Sequence, residues 1–201
     1  MIKAITFDLD GVYFVNGKKN FIANLMKLGV SEDEAVRVFL KSPEMNEVYK
    51  CGKWSDEQYW SWALKEWELD MTVEEVKELL ISGYEVNKDV VETVRKVRES
   101  GYKTMICSNN FSARINGLNE RFDFLKDFDI VVLSFEEGVT KPNKEIFKTL
   151  IEKSGVDPEE IVYSDDDETK FIPAIKLGIN AFLYADFDSF VESLKELGVK
   201  F

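Results

Sequence analysis

The sequence predicts an α/β fold, a parallel sheet core flanked by helices, with an α-helical domain inserted into it. Three observations carry this reading. Five short apolar runs each lead into polar residues and then a helical pattern, the signature of a sheet built from βαβ units. One long stretch, from about Phe14 to Gly83, contains helical patterns but no strand run. Glycines follow the connecting helical segments, where a helix that must stop favours a residue tolerant of positive φ.

The strand runs are Ile2–Phe7, Lys103–Cys107, Ile130–Leu133, Ile161–Tyr163 and Ala181–Tyr184, rich in β-branched and aromatic residues. The connecting helices are the amphipathic segments Val90–Glu99, Lys144–Lys153, Thr169–Leu177 and Ser189–Leu197, stopped by Gly101, Gly155, Gly178 and Gly198. A single βα connection is normally far shorter than the stretch after the first strand. Residues 14–83 are therefore expected to form a helical domain, and residues 1–13 with 84–201 the core. Within the insert the pattern predicts helices over Asn20–Lys27, Glu32–Lys41, Asp56–Trp67 and Val73–Ser82. All four tryptophans (Trp54, Trp60, Trp62, Trp67) lie there and read as packing residues. Asn16-Gly17, between Tyr13-Phe14-Val15 and Phe21-Ile22, predicts a tight hairpin turn at its entrance.

At 201 residues the chain is long enough to bury a sizeable core. It carries 26 Lys and Arg against 38 Asp and Glu, a net charge of −12, which opposes binding to nucleic-acid phosphates and anionic lipid. No apolar run approaches a membrane span and no signal-peptide pattern opens the chain, so a cytoplasmic location is expected. Cys51 and Cys107 form no C-x-x-C pair and read as free thiols. The chain has no histidine, which removes Ser-His-Asp and Cys-His catalysis and histidine-ligated metals. Proton transfer must then fall to Asp, Glu, Lys, Tyr or Cys. Phosphate-loop and dinucleotide-binding glycine motifs are absent.

Four polar clusters fall at or just beyond strand ends, where an open parallel sheet binds ligands. They are Asp8-Leu9-Asp10-Gly11, Ser108-Asn109-Asn110, Thr140-Lys141-Pro142 and Asp165-Asp166-Asp167. Asp8 and Asp10, two residues apart on extended chain, lean to one face. Gly11 permits a sharp turn that brings backbone N–H groups near that face. Carboxylates so gathered repel one another and suit a hard divalent cation such as Mg²⁺. Taken singly, Asp10 could start a turn, Asp165–Asp167 could cap the next helix, Ser108-Asn109 could form a turn and Lys141 could be a solvated lysine. Their joint placement argues for a site in which Ser108 and nearby N–H groups hold phosphate oxygens.

The order Asp8-x-Asp10-Gly11-Val12, Ser108-Asn109, Lys141-Pro142 and Asp165-Asp166 resembles the haloacid dehalogenase-like hydrolases over essentially the whole chain, including a helical cap inserted after the first motif. The resemblance implies a Rossmann-like core and, from the segments Ile106–Asn109 and Gly138–Pro142, is nearest to sugar-phosphate phosphatases. It implies that Asp8 is the nucleophile and forms an aspartyl-phosphate. Asp10 would be the general acid and then the general base. Ser108, Lys141 and the N–H groups of Gly11 and Asn109 would hold the phosphoryl group. Asp8, Asp10 (through its carbonyl), Asp165 and Asp166 would serve Mg²⁺, with Asp166 the motif's ligand and Asp165 in support. The family's dehalogenases lack the second Asp because a halide leaves unprotonated, so Asp10 argues for phosphate esters. Lys170 departs from the pattern: an Asp or Asn is usual four residues after Asp166. Ser164 likewise replaces a common apolar residue.

The expected function is thus an Mg²⁺-dependent phosphomonoesterase acting on a small phosphorylated metabolite, most simply a sugar phosphate. Two alternatives use the same residues: a catalytically silent relative that binds a phosphorylated ligand or protein partner, and a phosphoglucomutase-like phosphotransferase. Cap residues that would select the substrate are Tyr13, Asn16, Lys50, Lys53 and Trp54. A monomer or weak homodimer is expected, with no nucleic-acid or membrane partner.

Overall fold

The computed structural model describes residues 1–201. Its strands are β1 (Ala4–Phe7), β2 (Phe14–Val15), β3 (Glu85–Val86), β4 (Lys103–Ser108), β5 (Ile130–Leu133), β6 (Ile161–Asp165) and β7 (Asn180–Leu183). Five form one parallel sheet in the order β5-β4-β1-β6-β7, so β1 lies at its centre. Its register pairs Phe7 with Ile106 on one side and with Ser164 on the other. The C-terminal ends of β1, β4 and β6 are thereby level, and the residues just beyond them meet at one edge. β1 is buried throughout, as a strand covered on both faces must be.

The helices are α1 (Gly17–Lys27), α2 (Glu32–Val36), α3 (Asp56–Glu66), α4 (Val73–Ser82), α5 (Lys88–Glu99), α6 (Ser112–Phe122), α7 (Ser134–Glu137), α8 (Lys144–Ser154), α9 (Glu168–Lys176) and α10 (Phe187–Glu196). Gly101, Gly155, Gly178 and Gly198 all have positive φ where their helices end. Ser55 and Thr72 open α3 and α4 with reciprocal capping boxes to Gln58 and Glu75. No helix is long and apolar enough to cross a membrane.

Two expectations need correction. The Asn16-Gly17 hairpin does not form: Asn16 is the left-handed N-cap of α1, and β2 pairs antiparallel with the distant β3. Gly17 is small for another reason, since a Cβ there would overlap the Tyr84 ring. The predicted Glu32–Lys41 helix divides into α2 and a wider turn over Arg37–Lys41, and a second wide turn follows over Glu44–Tyr49. Pro43 explains the separation of the two wide turns, because the residue before proline, Ser42, is pushed to extended backbone (ψ 144°). The sequence reading also leaves out α6, whose apolar positions Ile115 and Leu118 are interrupted by Asn116 and Gly117.

The chain leaves for the insert and returns from it through the β2–β3 ribbon. One apolar cluster runs continuously from the core into the insert. Phe111, just before α6, stacks on Tyr49 at 4.8 Å and meets Trp60 edge-on at 6.1 Å. Asp56, at the start of α3, accepts hydrogen bonds from Tyr49 Oη (2.7 Å), the Ala113 N–H (3.1 Å) and the Ser112 hydroxyl. An aspartate at a helix start is favourable there, and this one belongs to a different element from the helix it caps. The insert is thus held against the core beside the site edge.

Candidate active site

The turn after β1 sets the first two carboxylates. Gly11 (φ 90°) lets the chain fold back so that its N–H donates to Phe14 O (2.8 Å) and the Phe14 N–H donates to Leu9 O (2.7 Å). The Gly11 N–H is therefore committed to the turn and is not a phosphate donor, which corrects the expectation from sequence. A Cβ on Gly11 would overlap Asp166 Oδ2, so its role is to let two loops approach.

Lys141 lies at the centre of the site. It is buried, and its Nζ lies 3.0 Å from Asp8 Oδ1, 2.5 Å from Asp165 Oδ2, 2.9 Å from Cys107 O and 2.6 Å from Tyr163 Oη. Burial disfavours its charge, but Asp8 and Asp165 more than compensate and hold its pKa above the usual lysine range. The same pairing acts on Asp165: burial pushes its carboxyl up, Lys141 and Lys170 pull it down, and the result is about 2. The Asn109 side chain fixes this arm of the site, accepting from the Lys141 N–H (2.7 Å) and donating to Lys141 O (3.0 Å). Ser108 is buried at the end of β4, with the Asn110 side-chain amide 3.4 Å from its hydroxyl. Burial pushes the thiol of neighbouring Cys107 up to about 12, which makes it inert.

Oxygens of Asp8, Asp165 and Asp166 lie within 4.8 Å of one another. Three carboxylates at that spacing match the hard-oxygen donor set that Mg²⁺ takes. Lys170 Nζ already stands 3.6 Å from Asp165 Oδ1 and 3.5 Å from Asp166 Oδ1, which shows that the cluster attracts a cation. Burial raises the Asp166 carboxyl, and Lys170 opposes this only in part. Asp167 lies outside the cluster and caps α9, accepting from the Thr169 N–H.

Asp10 stands apart from these three, so its carboxylate is not part of the cation cluster. Its Oδ2 meets Arg114 Nη1 at 3.0 Å and Lys18 Nζ at 2.5 Å. Burial raises the Asp10 carboxyl, but Arg114 and Lys18 outweigh it and hold it below the usual carboxylate range.

Of the five expected cap residues, the structure brings Lys50 toward the site. Its Nζ donates to Asn46 Oδ1 (2.9 Å). Gly52, two residues on, packs so closely on the Phe135 carbonyl that a Cβ would overlap it, which presses this loop onto the core. Burial first, then Arg114 and Lys18, pull the Lys50 pKa down to about 7. The other four are corrected. Tyr13 is buried in the core against Phe14, Phe124 and Phe128. Asn16 is exposed and donates to Glu85 Oε2 (3.1 Å). Lys53 is exposed. Trp54 packs on Trp62 inside the insert. In each case local packing or capping accounts for the residue.

Sequence reasoning also missed Lys18 and Arg114. Lys18 sits in the first turn of α1, within a Lys-Lys pair that resembles an ordinary solvated face. Arg114 left a trace, since it lies on the face of α6 shared by Phe111, Ile115 and Leu118, and an arginine there must be paired or functional.

A family model for haloacid dehalogenase-like hydrolases matches residues 2–178. A D-ribitol-5-phosphate phosphatase of Bacteroides thetaiotaomicron is 26% identical over 195 residues, covering 90% of this chain and 91% of that protein. A glyceraldehyde 3-phosphate phosphatase of Methanopyrus kandleri is 26% identical over 179 residues, covering 83% of this chain and 76% of that one. Among solved structures, a haloacid dehalogenase family enzyme of Bacteroides thetaiotaomicron in complex with magnesium and inorganic phosphate superposes with TM-score 0.80. It is 22% identical, over 95% of this chain and 99% of that one. With the family model covering most of its length and the parallel sheet in place, the chain belongs to the haloacid dehalogenase-like hydrolases.

Proposed function

We propose that the protein is an Mg²⁺-dependent phosphomonoesterase that hydrolyses a small phosphorylated metabolite, a sugar or polyol phosphate, through an aspartyl-phosphate on Asp8. The observation that carries this reading is the buried Asp8–Lys141–Asp165 ion network with Asp10 two residues beyond the nucleophile. The phosphatase relatives support the substrate class.

A carboxylate oxygen of Asp8 forms the bond to phosphorus as the ester P–O bond breaks. Arg114 and Lys18 hold the Asp10 carboxyl low in the free protein, so Asp10 takes up a proton when the anionic phosphoryl group binds beside it and gives that proton to the departing alcohol oxygen. Asp10, now a carboxylate, takes a proton from the water that attacks the aspartyl-phosphate, releasing inorganic phosphate and restoring Asp8. Lys141 keeps Asp8 oriented and balances charge on the phosphoryl oxygens, which Ser108 and the Asn109 N–H also bind. Asp8, Asp165 and Asp166 would hold Mg²⁺, with Asp10 serving it only through its backbone carbonyl. The ion supplies charge neutralisation at the transferring oxygens when bound. Residues 14–83 form the cap in this reading, with Lys50 its contribution to substrate binding.

The test is phosphate release from a panel of phosphomonoesters, with and without Mg²⁺, for wild type and Asp8→Asn. Mg²⁺-dependent release that falls below about 1% in the variant is expected, on the scale of losing one reacting group. Lys170 beside Asp165 and Asp166 favours the silent-relative reading, which predicts no release from any ester and no Mg²⁺ binding by calorimetry.

A further inference from the structure

Arg114 is among the largest fully buried side chains of the protein, and its charge is satisfied on every side. Nε donates to Asn110 Oδ1 (2.7 Å), Nη1 to Asp10 Oδ2 (3.0 Å) and Tyr84 Oη (3.0 Å), and Nη2 to Asn109 O (3.2 Å). The guanidinium Cζ lies over the Phe111 ring, 4.8 Å from its centroid. A planar fork held by four hydrogen bonds and an aromatic face cannot swing, unlike the half-exposed ammonium of Lys18 that meets the same Asp10 oxygen. Both cations act on Oδ2, and no hydrogen bond engages Oδ1.

The geometry points to Arg114 as a positioning residue: anchored by Asn109 O and the Asn110 side chain, it clamps Asp10 through Oδ2 so that Oδ1 faces the leaving-group oxygen. This inference rests on the phosphomonoesterase reading. Arg114 touches neither substrate nor phosphorus. It acts through one carboxylate, and it links the first motif to the second through Asn109 and Asn110. A lysine at this position could reach one of these partners but could not hold Asp10 and the turn together.

The consequence is a selective loss. An ester whose alcohol leaves poorly needs the Asp10 proton, whereas a nitrophenyl ester leaves well without it. The experiment measures kcat/KM for an alkyl phosphate and for p-nitrophenyl phosphate with wild type, Arg114→Lys, Arg114→Gln, Asp10→Asn and the Asp10→Asn/Arg114→Lys double variant. Arg114→Lys should lose about 10²-fold on the alkyl ester and within about threefold on the nitrophenyl ester. In the Asp10→Asn background the same change should cost nothing further. Tyr84→Phe, which leaves the guanidinium in place, should show the same substrate selectivity at smaller amplitude and serves if the Arg114 variants fail to fold. Equal losses on both esters, or a further loss in the double variant, would overturn the positioning role while leaving the phosphomonoesterase reading intact. A wild type inactive on both esters would defeat that reading instead.

Discussion

Lys50 offers a prediction in which the size and sign of the effect follow from the structure. An ordinary lysine titrates near 10.5, but here burial and the neighbouring Arg114 and Lys18 bring the value to about 7. Below pH 7 the ammonium is charged in both the folded and the unfolded chain, and its whole penalty weighs on the folded one. Between pH 7 and 10.5 the folded chain has released the proton that the unfolded chain still binds, so the penalty fades and stability rises with pH. At pH 8 the difference amounts to about 3 kcal/mol, and at pH 10 to about 1 kcal/mol. Lys50 is partly accessible, so solvent screening reduces the figure at pH 8 to roughly 2 kcal/mol. Lys50→Met keeps the apolar stem and removes the charge, at the cost of the bond to Asn46. The variant should be more stable than wild type at pH 8 by roughly 2 kcal/mol, or about 4–8 °C in Tm for a chain of this size. That advantage should shrink toward zero at pH 10. Urea unfolding of both proteins at the two pH values measures it, since other titrating groups cancel in the difference. A variant less stable at pH 8, or a difference equal at both pH values, would refute the argument. In the phosphomonoesterase reading the same variant should also raise KM for the phosphorylated substrate, because Lys50 is the insert's contribution to substrate binding there.

Three further outcomes are expected. Lys170→Asn removes an ammonium 3.5 Å from Asp166 and should tighten Mg²⁺ binding by about tenfold; calorimetry that shows unchanged affinity would place the wild-type side chain's influence elsewhere. Gly11→Ala must adopt φ near 90° and force a Cβ into Asp166, so it should cost about 1–3 kcal/mol and weaken Mg²⁺ binding; a variant with wild-type melting would contradict the close approach of the two loops. Iodoacetamide should label half-buried Cys51 in the native protein and spare Cys107, whose buried thiol is held near 12; equal labelling by mass spectrometry would overturn that assignment.

Most of the sheet was legible because each central strand is buried on both faces and so reads as an apolar run, and because glycine stops mark the helix ends. The four polar clusters were legible for a related reason: polar residues placed directly after an apolar strand have few positions to occupy except the site edge. Helix α6 was missed because Asn116 and Gly117 are poor helix formers. Gly117 exists for packing, since a Cβ there would lie 2.6 Å from Ile81 Cγ1 on α4. The cap residues failed for a different reason. Position relative to the first motif says nothing about which side chains turn inward, and Tyr13 and Trp54 found aromatic partners while Lys50 was carried inward by the tight seat of Gly52 on the core. A close approach of two backbones leaves only a glycine in the sequence, and turns and helix ends call for glycine too.

The charge of the whole chain and the charge of the site have opposite tendencies, and this bears on how a phosphorylated ligand is chosen. At −12 overall the protein repels a dianion at a distance. Around the reacting carboxylates, however, stand four cations, Lys18, Arg114, Lys141 and Lys170, facing Asp8, Asp10, Asp165 and Asp166, with Lys50, whose amine titrates near 7, beside them. Two of them, Arg114 and Lys141, are locked by several partners each and serve the carboxylates. Lys18 and Lys170 hold looser pairs with accessible side chains, and Lys50 has only an amide for a partner. A bound dianion can draw these three away from their present partners without leaving a buried charge alone, whereas displacing Arg114 or Lys141 would strand one. In the phosphomonoesterase reading, selection of the ligand would therefore fall to the three looser lysines, and the two locked cations would keep the geometry of the reacting carboxylates.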